Sequence, residues 1–493
     1  MRGSGILMHI TSLPGAYGVG TMGKEAYAFV DFLASAGQTH WQILPLTPTG
    51  YGDSPYQSCS AYAGNHYLID LDLLADEGLL DRSELAGIDW CETADQVDFG
   101  RLYNNRLSVL RKAYERFEGS EEFTEFCTEN SVWLSDFALF MALKARFGGK
   151  AWFQWDEALK RRDPNAVWNA RQELKAEIRF YSFVQFLFFR QWNALRKYAQ
   201  QKNICIIGDV PIYVPLDSCD VWANPELFQL DEALTPTAVA GCPPDAFSDD
   251  GQLWGNPLYR WDVMAKDGYD WWIRRLAAAG RLYDVVRLDH FRGFEAYWAV
   301  PYGDTTAKNG KWIKGPDKDF IRTVQKKLPK LSLIAEDLGF LTQEVLDLRD
   351  ESGLPGMKVL EFAFDSREPS EYLPHTYIAN TVCYTGTHDN MTMRQWFDTA
   401  APDAVEYATE YMNLQEKEGL VWGVIRTAFA SVSDLCVVQM QDYLNLGARA
   451  RMNFPGVASG NWTWRMEPGS TTEELAKRIR NLAVLYGRLQ TLS

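Results

Sequence analysis

The sequence predicts an α/β protein, a (β/α)8 TIM barrel with helical and loop insertions over the C-terminal face of the barrel. Three observations carry that expectation. Short β-rich runs recur along the chain, ending in polar or acidic residues and mostly followed by stretches able to form a helix, which is the alternation of parallel strands with crossover helices. There are eight such runs, the number that closes a barrel of this kind. Their spacing is uneven, so the 493 residues read as one catalytic barrel enlarged by insertions.

Taken in order, strands are expected near 5–10, 41–45, 204–210, 285–289, 332–336, 358–364, 382–387 and 436–441. About 160 residues separate the second from the third, far more than a crossover needs. That interval, 73–200, is read as an inserted helical subdomain whose strongest segments are 133–147 and 175–198. Residues 211–260 are rich in Pro, Gly, Asp and aromatics and poor in periodicity, so they are read as ordered loops over the barrel mouth. A smaller helical insertion is expected at 391–430, and Thr471-Thr472-Glu473-Glu474 reads as a capping box opening a final helix toward Leu489.

Composition narrows the partners. A formal charge of −16 opposes nucleic-acid binding, because phosphate contacts need Lys and Arg, while an uncharged ligand meets no such barrier. Eighteen Trp and 23 Tyr provide flat apolar faces with polar edges, suited to core packing and to concave sites that also hydrogen-bond. The eight Cys show neither a C-x-x-C pair nor zinc-ligand spacing, so they read as reduced thiols of a cytoplasmic protein with no metal. The first residues reach a Pro-Gly turn too soon for a signal-peptide apolar region, and no stretch approaches a membrane span.

Acids sit where a barrel keeps its chemistry, at the carboxyl ends of different strands: Asp209, Asp289, Glu336, Asp365, Asp389 and Asp442. A single Asp there is an ordinary cap or turn residue, but a series of six points to a site. A pair of carboxyls is what glycoside chemistry requires, one protonated to assist the leaving group and one ionised to attack, with no cofactor. In Arg287-Leu288-Asp289-His290, alternation places Arg287 and Asp289 on one face, where the guanidinium would hold the Asp low in pKa. The same two residues would equally serve as a buried, self-neutralising ion pair. Glu336 follows the apolar Leu333-Ile334-Ala335, and desolvation beside an anionic Asp would raise its pKa as a proton donor needs. His388-Asp389 adds a donor and a third acid.

At these residues the sequence resembles the 4-α-glucanotransferases known as amylomaltases or disproportionating enzymes, relatives of the α-amylase group. The likeness runs nearly end to end: Thr11-Ser12-Leu13-Pro14-Gly15, Gly52-Asp53-Ser54-Pro55-Tyr56, Gly208-Asp209-Val210-Pro211, Gly241-Cys242-Pro243-Pro244-Asp245, Gly251-Gln252-Leu253-Trp254-Gly255-Asn256, Arg287-Leu288-Asp289-His290, Ala335-Glu336-Asp337, Thr387-His388-Asp389-Asn390 and Ala450-Arg451-Met452-Asn453. The resemblance implies Asp289 as nucleophile, Glu336 as general acid/base and Asp389 as the residue gripping sugar hydroxyls, supported by Arg287 and His388. It implies substrate contacts for Tyr56, Asp209, Trp254 and Asn453, with Ser54 and His290 beside them. It also implies α-1,4-glucan and maltooligosaccharide substrates with a glucose or glucan acceptor. Two departures are local: Tyr62 stands for a usual Phe, and His66 where Pro is common. Hydrolysis by the same residues, or glucan binding without catalysis, are the alternative outcomes.

Overall fold

The computed structural model describes residues 2–244, 248–339, 341–365 and 370–489. Asp245, the last residue of one motif above, lies outside them. Twelve strands follow in chain order: β1 (Gly3–Leu7), β2 (His40–Gln42), β3 (Cys205–Val210), β4 (Ala238–Cys242), β5 (Gln252–Pro257), β6 (Val285–Leu288), β7 (Ala296–Pro301), β8 (Lys311–Lys314), β9 (Ser332–Ala335), β10 (Gly356–Val359), β11 (Thr381–Tyr384) and β12 (Leu435–Gln439). Eight of them form one parallel sheet, in the order β10-β11-β12-β1-β2-β3-β6-β9. It curls into a barrel whose seam falls between β9 and β10.

The seam is closed by two bonds in place of a full ladder. The Ala335 amide donates to the Pro355 carbonyl at 3.0 Å, and the Met357 amide donates to the Asp337 carboxylate at 2.6 Å. Asp337 is itself held by Arg349 at 2.6 Å. Gly356 makes the approach possible, since a Cβ there would stand 2.4 Å from Asp337 Oδ2.

The long interval after β2 is helical, with helices Phe99–Glu115, Glu121–Glu129, Ser131–Arg146, Pro164–Glu173 and Lys175–Gln201 among its elements. The last of these is buried all round from Phe180 to Phe188 and then on one face through Gln191, Trp192, Leu195 and Ala199. It runs straight into β3 and packs on helix Lys24–Ser35, and Trp192 Nε1 donates to the Leu282 carbonyl. It therefore also serves as the crossover helix of the third barrel strand. Helix Leu420–Ala430 does the same for β12.

The expectation of loops over 211–260 is corrected. That stretch holds β4 and β5, which join β7 and β8 in an antiparallel sheet of order β5-β4-β7-β8. The strands escape a periodicity reading because Ala-Val-Ala-Gly-Cys and Gln-Leu-Trp-Gly-Asn-Pro carry little alternation, and β4 finds its partner β7 some fifty residues away, beyond a barrel strand. The closing helix is Glu473–Leu485, and its cap is Thr472, which accepts from the Leu475 amide; with Leu475 at the third helical position the expected Thr471 to Glu474 capping box is corrected to a simple N-cap one residue later. No disulfide joins any of the cysteines among the described residues. Among the described residues no helix is long and apolar enough to cross a membrane.

We expect Gly356→Ala to overpack the seam, because Asp337 cannot rotate away without losing its bonds to Met357 and Arg349. A cost of about 1–3 kcal/mol is the usual scale, and a lowered unfolding midpoint in thermal denaturation checks it.

Candidate active site

Register decides which side chains meet inside the barrel. Asp209 pairs with Arg287 across β3 and β6, and Arg287 pairs with Ile334 across β6 and β9. Paired residues of parallel strands point to the same face, and residues two apart share it. Asp209, Arg287, Asp289, Ile334 and Glu336 therefore all face the lumen. Asp289 and Glu336 each lie one step past the paired residues Leu288 and Ala335, at the carboxyl rim. The ladder continues to support them there: the Asp289 amide donates to the Val210 carbonyl and the Glu336 amide to the Leu288 carbonyl, both at 3.1 Å.

Beneath the rim lies a buried charge cluster. Arg287 Nη1 donates to Asp209 Oδ2 at 2.6 Å and to Asp289 Oδ1 at 3.2 Å. The Arg287 and Asp209 side chains are 4% and 1% exposed, whereas that of Asp289 is 25% exposed, open to the cleft. Tyr56 completes the cluster, its hydroxyl donating to the same Asp209 oxygen at 2.7 Å. The guanidinium is thus shared, and Asp209 takes the shorter bond. This corrects the expectation that Arg287 would hold Asp289 low. Burial raises the Asp289 carboxyl to about 6 against the opposing pull of Arg287, and the charges of Asp209 and Asp389 push in the same direction as burial.

Glu336 is raised further. Burial, joined by the charge of Asp289, lifts it well above the usual range, although Arg287 and the His290 amide oppose the shift. That amide donates to Glu336 Oε2 at 2.6 Å. His290 presents it by taking a left-handed backbone, φ 47°, which turns the chain sharply after Asp289. The two carboxyls are thereby ordered, with Asp289 ionising first and Glu336 keeping its proton to higher pH.

Asp389 lies past β11 in a turn shaped by Asn390, whose Oδ1 accepts from the Thr387 amide and hydroxyl. One oxygen of Asp389 accepts from Asn453 Nδ2 at 2.6 Å, and the other lies 3.4 Å from His388 Nε2. Arg451 donates to the Asp389 carbonyl at 2.8 Å, and the Asn453 amide to the His388 carbonyl at 3.1 Å. The C-terminal segment clamps this acid. Tyr56 joins the two sides of the cleft: its ring stacks on His388 at 5.1 Å and 17°, and Trp462 lies 5.8 Å from both rings.

Trp254, on β5, meets His290 edge-on at 4.9 Å, so the antiparallel sheet reaches the rim beside Asp289. Gln57 Nε2, from the loop carrying Tyr56, donates to Asn256 Oδ1 at 3.2 Å and ties that loop to β5. Ser54 uses its hydroxyl locally, accepting from the Tyr56 amide at 3.2 Å, and so shapes the turn that presents Tyr56.

Of the six acids in series, Asp442 stands apart. It is buried, with its oxygens taken by the Thr385 hydroxyl at 2.6 Å and the Met393 amide at 2.7 Å, which makes it a structural anchor. Asp365 lies six residues beyond β10, after the turn Leu360–Phe362. Trp462 and Arg451 were not among the expected site residues. Arg451 sits inside the Ala450 to Asn453 motif, but nothing local marks Trp462. The two departures fit their places: Tyr62 stacks on Trp133 and donates to the Trp271 carbonyl, and His66 opens a 3-10 turn at a position where Pro is equally suited. Among the described residues no group of three or more His, Cys, Asp or Glu side chains is placed to hold a metal ion.

A family model described as 4-alpha-glucanotransferase matches residues 8–472. The chain belongs to this family. It is 48% identical over 487 residues to the 4-alpha-glucanotransferase of Clostridium butyricum, covering 98% of this chain and 100% of that one. It is also 48% identical over 501 residues to the 4-alpha-glucanotransferase of Thermus thermophilus, covering 99% of both. Among solved structures, the amylomaltase of Streptococcus agalactiae in complex with acarbose superposes with a TM-score of 0.97 at 44% identity, covering 99% of this chain and 100% of that one. The amylomaltase of Corynebacterium glutamicum shares the fold, with a TM-score of 0.78 at 20% identity over 99% of this chain and 74% of that one. The chain is therefore an enzyme, and its reaction class is transfer.

Removing Arg287 should leave Asp209 buried without a counter-charge. Arg287→Met is expected to destabilise the fold by on the order of 3 kcal/mol, and adding Asp209→Asn should restore much of the loss. Chemical denaturation of the single and double variants measures both.

Proposed function

We propose that this enzyme moves a segment of an α-1,4-glucan to the 4-hydroxyl of another glucan or of glucose, with net retention at the anomeric carbon. The observation that carries the reading is the ordered pair at adjacent strand ends, Asp289 beside Arg287 and Glu336 on the His290 amide. In the first step Asp289 attacks the anomeric carbon while Glu336 gives its proton to the departing glycosidic oxygen. In the second, Glu336 removes the proton of the incoming hydroxyl as that oxygen displaces Asp289. Neighbouring strands lie roughly 4.8 Å apart, which suits the spacing of about 5–5.5 Å of retaining carboxyl pairs better than the 6.5 Å or more of inverting ones.

Electrostatics supports this division of labour. A carboxyl at about 6 is largely ionised at neutral pH yet remains nucleophilic, and its partner is pushed well up by burial and by that same charge, the direction a proton donor needs. Asp389, fixed by Asn453 and beside His388, is placed to accept hydrogen bonds from sugar hydroxyls as the ring distorts. Trp254, at the rim beside His290, offers a ring that would favour a glucan acceptor over water by positioning it. The acarbose bound by the Streptococcus agalactiae relative agrees with a maltooligosaccharide-shaped cleft. Hydrolysis would use the same residues and differ only in what reaches the intermediate.

Incubation with maltotriose separates the two outcomes: transfer releases glucose together with oligomers longer than the substrate, and products that are all shorter would refute transfer. Asp289→Asn should abolish turnover while sparing glucan binding, and substantial residual activity would remove Asp289 from the nucleophile's role.

The pH profile of kcat/KM should be bell-shaped. Activity requires ionised Asp289, so it falls as the pH drops through about 6; it requires protonated Glu336, so it falls again on the alkaline side as Glu336 loses the proton that burial holds on it. In Asp209→Asn the guanidinium serves Asp289 alone and a neighbouring negative charge is gone. The acid limb should then move to lower pH, whatever the loss in absolute rate.

A further inference from the structure

At the carboxyl rim of the barrel, beside the cleft, a second buried histidine lines the same small cavity as His388. His388 is 3% exposed, and its Nδ1 has no hydrogen-bond partner among the described residues. Its Nε2 lies 3.4 Å from Asp389 Oδ2. His9 follows β1 and is 7% exposed, and its Nδ1 accepts from the Leu44 amide at 3.2 Å. Both side chains line one cavity of about 10 Å³, together with Ser12, Gln439, Gln441 and apolar neighbours including Met452 and Trp464.

Each ring carries a single proton at neutral pH. Burial drives His9 down to about 3, with the His388 ring adding to the shift, and burial also lowers His388 despite the opposing charge of Asp389. A neutral imidazole has one donor and one acceptor nitrogen. For His9 the choice is fixed from outside: a backbone amide can only donate, so Nδ1 accepts and the proton must sit on Nε2. For His388 the carboxylate of Asp389 favours a proton on Nε2, which leaves Nδ1 as a buried acceptor without a donor. Such an atom costs free energy unless something donates to it. The cavity has room for about one water molecule and polar groups on several sides, which is what a buried bridging water requires.

We propose that His9 is a positioning residue for catalysis: through one water in this cavity its Nε2–H donates to His388 Nδ1 and locks His388 as the tautomer that presents Nε2–H to Asp389 and the substrate. Order then passes from the Leu44 amide through His9 and the water to His388, without His9 touching the sugar. The inference rests on the role proposed for Asp389 only in its kinetic part; the tautomer of His388 can be read independently of any reaction.

The test is 15N spectroscopy of the full-length enzyme labelled in its six histidines, with His388 assigned by comparison with His388→Gln. In the wild type, His388 should show an unprotonated Nδ1 and a protonated Nε2 at pH 7; a proton on Nδ1 overturns the proposal without recourse to variants. In His9→Leu the His388 signals should become a mixture of tautomers. Its kcat on maltotriose should drop by roughly threefold to tenfold, the worth of one hydrogen bond between neutral groups, with KM changed far less. His9→Gln, which keeps an amide donor near the Nε2 position, should recover most of the rate. If both variants fold and His9→Leu retains the wild-type tautomer and kcat, or if glutamine rescues nothing, His9 has no such role.

Discussion

The site depends on one shared guanidinium. Arg287 lies inside the barrel between two carboxylates on its own and the neighbouring strand, closer to the one that is buried than to the one that faces the cleft. Burying an ion is costly unless it is paired and hydrogen-bonded, and Asp209 meets that need with help from the Tyr56 hydroxyl. What remains for Asp289 is partial compensation. A fully paired carboxylate would be stable and a poor nucleophile, and an unpaired one in the same place would be protonated. Sharing leaves it between those limits.

The same economy appears on the other side of the cleft. Asp389 lies on a turn beyond the barrel strands, so the ladder cannot hold it, and the C-terminal segment does so through Asn453 and Arg451. Tyr56 couples the two halves by touching Asp209 with its hydroxyl and His388 with its face. Its own position is set by Ser54 and by the Gln57 contact to Asn256 on the antiparallel sheet. Four distant stretches of chain therefore converge on a few side chains, which suits a reaction that must hold one sugar while exchanging another.

The barrel strands were legible because parallel strands buried on both faces are apolar runs bounded by polar ends, a pattern local enough to survive in one dimension. Asp289 and Glu336 were legible for the same reason, since each directly follows a barrel strand. The antiparallel sheet was not: β4 is only Ala-Val-Ala-Gly-Cys, and it is a strand because β7 lies alongside it after an intervening barrel strand. Trp462 was equally hidden. It joins the site through tertiary packing against Tyr56 and His388, and no neighbour in sequence hints at this.

By itself the sequence determined the family, the barrel, and the order in which Asp289, Glu336 and Asp389 come to the rim, because residue type and strand-end position are properties of short segments. Only the tertiary structure decided the charge each group carries. Local alternation put Arg287 beside Asp289 and suggested a depressed carboxyl, but the stronger claim on that guanidinium comes from Asp209, nearly eighty residues away. Protonation is set by burial and by every charge within a few ångströms, and those neighbours are assembled by the closing of the barrel.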